Sequence, residues 1–388
     1  MKVKLGEYIQ EYSVRNKANE DIPVYSVTNT QGFCQDYFGK EVASKDKSTY
    51  KIVPRGYFAY NPSRINVGSV DWQRDEDQVI VSPLYNVFSV SPELNQQYLY
   101  YYLKSDFALH RIKAVATGSV RDNLKLEMLK NFPIRIPRVE EQEYIVQVLD
   151  KAKNIINLRR NELQKLDDLI KARFVELFGD QTTNPYGWQK ASIGACCTLK
   201  SGTSLPADKE NEGGAIPYVK VSDMNYPGNE QYITTSSRFV SEQTAGTGVF
   251  PVGTVVFPKR GGAIGTNKKR LTRIPICADL NVMGVTAGIR LTPQYLMAYF
   301  SNIDLGTLNN GSSVPQINNK DIAPLLICLP PMVLQQQFAE FVIQVDKSKL
   351  LSGCRLFHSW APENRDQPKH VGVPQRKTKV LRGGRRQQ

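Results

Sequence analysis

The sequence predicts an α+β fold built from two tandem copies of one domain, separated by long coiled-coil helices of which the second is truncated. Three observations lead to this class. Blocks of sequence recur at nearly one offset, one segment without Gly or Pro repeats its apolar residues every seven positions, and a second such segment stops early. The 388 residues suffice for two or three domains at roughly 150 residues each.

The repeat is clearest at two pairs of blocks. Ile22–Val27 matches Ile216–Val221 after 194 positions, and Pro54–Tyr60 matches Pro251–Phe257 after 197 positions. The order of the blocks is the same in both halves, and the period is too long for a solenoid. We therefore expect two domains, over residues 1–138 and 180–331.

Short β-branched runs and amphipathic runs follow one another irregularly within each copy. Val79–Val81 and Gly253–Phe257 are bounded by Gly or Pro and are typical of strands, whereas Gln96–Lys104 and Gln294–Ser301 are typical of helices. Because strands and helices do not alternate regularly, an α+β domain is favoured over a doubly wound one.

Residues 139–179 lie between the copies and are predicted to form one helix. Pro137 precedes it and Gly179 ends it. Its heptad repeat predicts a coiled coil about 58 Å long at 1.5 Å per residue. The expected apolar seam of this scaffold is formed by Leu149, Ile156, Leu163, Ile170 and Leu177.

The second copy should be followed by an equivalent helix, but its apolar pattern covers only residues 332–350. Residues 351–388 carry nine Lys or Arg against two Asp or Glu, with scattered Pro and Gly, and are expected to be a disordered basic tail. The shortened helix should leave apolar side chains of the first helix unpaired, and we expect these near Leu166, Leu169, Ile170 and Leu177.

The composition favours a polyanionic partner. Fifty Lys and Arg against 37 Asp and Glu give a net charge of +13, which makes nucleic acid the first candidate. No window is apolar for long enough to span a membrane, and the start of the chain has no secretory pattern. The six cysteines form no C-x-x-C pair, so a cytoplasmic location is the simplest expectation.

The familiar catalytic motifs are missing from the sequence. It contains no (D/E)-x-K element, no Walker-type loop and no G-x-G-x-x-G after a strand. Asn61-Pro62 lacks the following Pro and aromatic residue of adenine methyltransferases, and three histidines supply a metal site poorly. We therefore expect no catalytic residues, no metal and no cofactor.

Binding chemistry lies in turns at matching places in the two copies. Asn61 and Arg64 follow a strand in the first copy and offer the amide and guanidinium groups that read adenine and guanine edges; Lys259 and Arg260 take that place in the second. Further candidate DNA-binding residues are Arg121, Lys268, Lys269 and Arg270.

These motifs, taken in order, resemble those of the DNA specificity subunit of Type I restriction-modification systems. The resemblance covers residues 1 to about 350 and rests on a set of short segments. They are Gly56–Gly68 (GYFAYNPSRINVG), Pro137–Gln142 (PRVEEQ), Phe174–Asp180 (FVELFGD), Asn184–Trp188 (NPYGW) and Pro330–Gln337 (PPMVLQQQ).

The resemblance implies a bipartite mode of DNA recognition. Two target recognition domains would each read one half of a double-stranded site, while two long antiparallel helices hold them at a fixed distance. Modification (methyltransferase) subunits would dock on this scaffold and methylate adenines. Restriction subunits, the ATP-dependent translocase and endonuclease, would join them. The chain itself would be non-catalytic.

Two alternatives remain open from the sequence. The chain could be a divergent methyltransferase or nuclease, or a defective allele that serves as a reservoir of recognition domains. The enzyme is the runner-up and the defective allele the third interpretation. The family's second helix should be nearly as long as its first, and here the pattern stops after about 18 residues.

Overall fold

The computed structural model describes residues 2–35, 46–116, 123–308 and 314–358, the last eight of them by their backbone alone. The chain divides into two compact units, Met1–Leu158 and Arg159–Gln388. Arg121 and residues 359–388 of the basic tail lie outside the described residues.

The first unit is built around an antiparallel sheet with the strand order β2-β9-β6-β7. Its central strand β6 is buried on both faces, because Phe58 and Tyr60 enter one apolar core while Ala59, between them, enters another. The elements in chain order are β1 (Val3–Lys4), β2 (Ile9–Glu11), β3 (Ser26–Thr28), β4 (Gly32–Cys34), β5 (Lys51–Pro54), β6 (Phe58–Tyr60), β7 (Val70–Trp72), β8 (Gln78–Val81), β9 (Asn86–Val90), α1 (Gln96–Lys104), α2 (Asp106–Val115), α3 (Leu126–Lys130), β10 (Pro133–Ile134) and the start of α4 (Val139–Phe178).

The second unit contains a sheet with the order β12-β19-β16-β17-β14, in which only the β14–β17 pair is parallel. The same unit also contains a smaller sheet with the strand order β15-β13-β18. After the end of α4 the elements are β11 (Lys190–Ser192), α5 (Ile193–Cys196), β12 (Cys197–Ser201), β13 (Ile216–Val219), β14 (Tyr232–Ile233), β15 (Phe239–Val240), α6 (Glu242–Ala245), β16 (Thr254–Pro258), β17 (Arg270–Thr272), β18 (Cys277–Ala278), β19 (Val282–Ala287), α7 (Pro293–Ser301), α8 (Asn319–Ile322), β20 (Leu326–Cys328) and α9 (Met332–His358).

The two units repeat one topology. Strands β2-β9-β6-β7 of the first correspond to β12-β19-β16-β17 of the second, and the short pair β1-β10 corresponds to β11-β20. In each unit the central strand leads into a 3-10 turn, Ile65–Val67 or Gly261–Thr266, before the next strand. The predicted duplication of a mixed α/β domain is therefore confirmed.

A buried glutamine fixes the start of α4. The side chain of Gln142 is fully buried, and its Oε1 accepts a hydrogen bond of 2.9 Å from the backbone N–H of Asn95. Its Nε2 donates to the carbonyl oxygens of Glu93 and Pro137, both at 2.8 Å. One amide thus joins the first turn of α4 to the turn that begins α1.

The same arrangement recurs at the start of α9. Oε1 of the fully buried Gln335 accepts from the N–H of Thr292 at 2.9 Å. Its Nε2 donates to the carbonyls of Arg290 and Pro330 at 3.0 and 2.9 Å. We call each set of three hydrogen bonds a glutamine anchor. Each anchor gives hydrogen-bond partners to one backbone N–H and two backbone carbonyls at the start of its helix.

Helix α9 packs against the C-terminal part of α4. The ring of Phe338 lies 5.6 Å from that of Phe174 and 5.5 Å from that of Phe178, centroid to centroid. Further along, Nζ of Lys349 is 2.6 Å from the Asp167 carboxylate. Residue numbers increase along α9 from 338 to 349, while the contacted residue numbers on α4 decrease from 178 to 167. The two helices therefore run antiparallel in this region.

The expected seam is covered only at one end. Ile170 and Leu177 pack against the core of the second unit, whereas Leu149, Ile156 and Leu163 are 39%, 49% and 40% exposed. The expectation that Ile170 and Leu177 would lie at the unpaired end was wrong, because α9 begins its antiparallel contact at Phe338 and covers that end of α4 first.

The second helix is longer than its apolar pattern indicated. Its backbone remains helical to His358, eight residues past Leu350. No proline occurs between Pro331 and Pro362, so nothing in the intervening sequence removes a backbone donor or forces the helix to stop. The start of the predicted tail, 351–358, is therefore helical.

Candidate nucleic-acid interface

The candidate interface of the first unit is the turn that follows β6. The carbonyl of Asn61 accepts from the N–H groups of Arg64 and Ile65, each at 3.0 Å, and its Oδ1 accepts from the N–H of Ser63 at 3.0 Å. The side chain of Asn61 therefore stabilises the turn. Arg64, at the end of this turn, is exposed.

A second segment is bound to this turn across the sequence. The carbonyl of Pro62 accepts from the N–H of Leu124 at 3.1 Å, and Ser63 Oγ donates to Asn123 Oδ1 at 2.6 Å. The buried hydroxyl of Tyr60 donates to the Leu124 carbonyl at 3.1 Å, and burial raises its pKa. The turn is thus rigidly joined to the chain that emerges after residues 117–122.

The second unit repeats this junction after β16. The N–H of Gly261 donates to the carbonyl of Pro315 at 2.8 Å, and the N–H of Ile317 donates to that of Lys259 at 2.9 Å. Arg260 and Gln316 consequently face each other as an antiparallel bridge. In both units the turn after the central strand contacts a distant segment, residues 123–124 in the first and 315–317 in the second.

The two cations of this second turn have different surroundings. Nζ of Lys259 donates to Ser201 Oγ at 2.9 Å; burial, and then the nearby charge of Arg260, lower the pKa of this lysine. Arg260 is exposed. The next glycines leave the backbone open, since a Cβ added at Gly261 or Gly262 would meet nothing within 4 Å. A phosphate or base edge could approach there closely.

The three cations expected beyond this turn all donate hydrogen bonds within the protein, and one of them, Lys269, is buried. Lys269 is 6% exposed, its Nζ donates to the carbonyl of Ile303 at 2.6 Å, and burial lowers its pKa to about 8. Arg270 donates to the carbonyls of Lys269, Met224 and Asn229, while Lys268 is hydrogen-bonded to the Asn225 side chain. Their contacts indicate a structural role, so we do not retain Lys269 and Arg270 among the proposed DNA contacts.

Sequence reasoning did not select three polar side chains that the fold brings to these turns. They are Asn123 in the first unit, and Ser201 and Gln316 in the second. Each comes from a segment distant in sequence and reaches the turn through a contact of the folded chain. Attention to amides as well as cations could have found Asn123 and Gln316, since both carry the side-chain amide that reads adenine.

The described ranges contain neither a cluster of metal ligands nor a membrane-spanning helix. There, no group of three or more His, Cys, Asp or Glu side chains lies close enough to hold a metal ion. Among the helices of the same ranges, none combines the length and apolar character needed to cross a bilayer.

Curated relatives are found in Methanocaldococcus jannaschii. The Type I restriction enzyme MjaIX specificity subunit is 23% identical over 63% of this chain, and the match covers 61% of that protein, less than two thirds of its length. The putative type I restriction enzyme MjaX specificity subunit is 20% identical over 89% of each chain.

Solved structures share the fold. A Type I restriction-modification system S subunit from M. genitalium aligns over 92% of each chain with a TM-score of 0.53 and 14% identity. A chain from a study of assembly and conformational transition of the type I R-M system aligns over 92% of this chain and 93% of its own, with a TM-score of 0.50 and 19% identity.

The model of the Type I restriction modification DNA specificity domain matches this chain twice, over residues 2–168 and 185–353. The two matches coincide with the two copies seen in the repeat and in the sheet topology. The family expected from the sequence motifs is thereby confirmed. The protein belongs to the family of Type I restriction modification DNA specificity domains and carries two copies of that domain.

Proposed function

We propose that the chain is the subunit that gives a Type I restriction-modification complex its DNA sequence specificity. The observation that carries this proposal is the duplicated junction after β6 and β16, which presents one exposed arginine in each unit, Arg64 and Arg260. The two surfaces share their backbone arrangement but carry different side chains, as expected for a DNA target whose two halves differ in sequence.

The chemistry of each junction favours reading double-stranded DNA. A guanidinium can donate two hydrogen bonds to O6 and N7 of guanine in the major groove. Because backbone hydrogen bonds on both sides hold each turn, little backbone freedom is lost when the arginine binds. Lys259 and Lys268 would add charge near the second surface and would contact phosphates rather than bases.

We further propose that α4 and α9 form the scaffold between the recognition surfaces. The antiparallel contact of Phe174 and Phe178 with Phe338 supports a coiled-coil arrangement in the second unit. The exposed side chains of Leu149, Ile156 and Leu163 are then available to partner subunits, for which we propose the modification and restriction subunits of the complex. A cytoplasmic location follows from these partners.

The proposal is tested by selecting DNA with the complex of this chain and its modification subunits. From duplexes with randomised positions, the complex should retain those with two short blocks of defined base pairs at one fixed spacing. Arg64→Ala should relax one block only, and Arg260→Ala the other. Arg55→Ala and Arg290→Ala are matched controls, since these arginines are also exposed but belong to neither junction.

Selection without any sequence pattern would refute the proposal, as would a loss of both blocks from either single substitution. The enzymatic alternative has its own test. The chain free of partners should transfer no methyl group from S-adenosylmethionine to DNA, and measurable transfer would show that it is a methyltransferase in its own right.

A further inference from the structure

The bridge between Arg260 and Gln316 places two side chains of complementary chemistry next to each other. The flanking bonds, Gly261 N–H to Pro315 O and Ile317 N–H to Lys259 O, make this a non-hydrogen-bonded antiparallel pair. In such a pair the Cα atoms are about 4.5 Å apart and both side chains leave the same face. That separation is close to the rise of about 3.4 Å between successive bases of a DNA strand.

The amide of Gln316 is held in one orientation. Its Nε2 donates to Asn318 Oδ1 at 2.8 Å, and Asn318 is itself held by a 2.8 Å bond from its N–H to the Asp321 carboxylate. Among the described residues, neither the other N–H of this amide nor its Oε1 has a hydrogen-bond partner, so both are available to an external one. A donor and an acceptor side by side match N7 and the N6 amine of adenine.

We infer that Arg260 and Gln316 form a specificity-determining pair that reads a guanine and an adenine in neighbouring base pairs of the second half-site. This inference rests on the proposed function and assigns the bases that this surface recognises. Arginine favours guanine and glutamine favours adenine when each makes two hydrogen bonds to one base.

Neighbouring polar groups at this turn are already bonded within the protein. Lys259 donates to Ser201, and the side-chain amide of Asn281 donates to Asp279 Oδ1 at 2.6 Å. In the first unit the amide oxygen of Asn61 is taken up by its own turn. In the second unit, Gln316 therefore supplies the amide that the sequence suggested Asn61 supplies in the first.

The experiment repeats the DNA selection with variants of this pair in the complete complex. Gln316→Met should reduce the preference for adenine at one position about fivefold to 100-fold, and should leave every other position unchanged. Arg260→Ala should remove the preference for guanine at the adjacent position. Gln316→Glu should shift the preference from adenine to cytosine, whose N4 amine donates to a carboxylate.

Two further variants test the orientation of the amide. Asn318→Ala removes the acceptor and should weaken the adenine preference in part, whereas Asn318→Asp keeps an acceptor and should retain that preference at a lower overall affinity. Gln337→Met is the matched control, because Gln337 is an exposed glutamine on α9.

The outcomes separate this inference from the proposed function. If the native complex selects a two-part site but Gln316→Met and Gln316→Glu both leave the selected bases unchanged, the inference is overturned and the proposed function stands. The same holds if the positions altered by Arg260→Ala and Gln316→Met are not adjacent. If the native complex selects no two-part site, the proposed function itself fails.

Discussion

Replacing Gln335 by methionine should lower the unfolding free energy of the second unit by about 3 kcal/mol. The substitution keeps the size and flexibility of the side chain but removes its amide. The N–H of Thr292 and the carbonyls of Arg290 and Pro330 would then lose their partners in the glutamine anchor.

The magnitude follows from the three hydrogen bonds. At about 1 kcal/mol each they contribute roughly 3 kcal/mol, and a carbonyl left buried without a donor costs about 1–3 kcal/mol more. Pro330 is buried, so its carbonyl should carry that cost, whereas Arg290 is exposed and water can replace the lost donor. Burial of the methionine side chain returns about 1–2 kcal/mol. The net loss is therefore about 3 kcal/mol.

Denaturant unfolding combined with hydrogen exchange measures this loss separately in the two units. Gln335→Met should reduce the protection of α7 and the start of α9, while α1 keeps its native protection. Gln142→Met should produce the reverse pattern, because the first unit has the same three bonds. Gln337→Met, on the same helix but exposed, should change the free energy of unfolding by less than about 0.5 kcal/mol.

Two results would contradict this reasoning. A loss below about 1 kcal/mol in Gln335→Met would mean that the anchor is replaced easily by water. An equal loss of protection in α1 and α7 would mean that the anchors do not act within separate units.

Three further predictions concern other regions. Burial lowers the pKa of Lys269 to about 8. Between about pH 8 and 10 the unfolded chain therefore binds a proton that the folded chain has released, so the stability of the native protein relative to Lys269→Met should rise with pH. Denaturant unfolding should show a rise of up to about 2–3 kcal/mol over that interval. Ile170→Asp should destabilise the isolated chain by several kcal/mol because Ile170 packs on the core, whereas Leu163→Asp, at a side chain 40% exposed, should cost less than about 1 kcal/mol in the same assay. Deletion of residues 359–388 should reduce the salt dependence of DNA affinity in binding titrations without changing the selected sequence; a changed sequence would show that the tail reads bases.

The fold could be predicted largely from repetition. Blocks such as Pro54–Tyr60 and Pro251–Phe257 recur because each supplies the central strand of the same sheet and the turn before it. A central strand needs a specific alternation of buried side chains, so its sequence is constrained in both copies. The long helix was equally predictable, since 40 residues without Gly or Pro leave few alternatives.

The site was less predictable because it depends on contacts between distant segments. Gln316 becomes a neighbour of Arg260 only through strand pairing, which no local pattern encodes. Conversely, Lys269 belongs to a run of three cations that suggested a solvated surface, yet its ammonium group is enclosed by Ile303 and Asn267. The charge of a residue indicates what it can bind, but the sequence does not show whether its side chain is buried or exposed.

The glutamine anchors bear on how such a protein can change its target during evolution. Every partner of Gln142 and Gln335 is a backbone atom, so the side chains at the contacted positions are free to differ: Glu93 corresponds to Arg290, and Asn95 to Thr292. A recognition domain exchanged by recombination would re-form the joint to its helix whatever side chains it brought. Diversity in the turns proposed to contact DNA can thus accumulate while the joint between each domain and its helix is inherited unchanged.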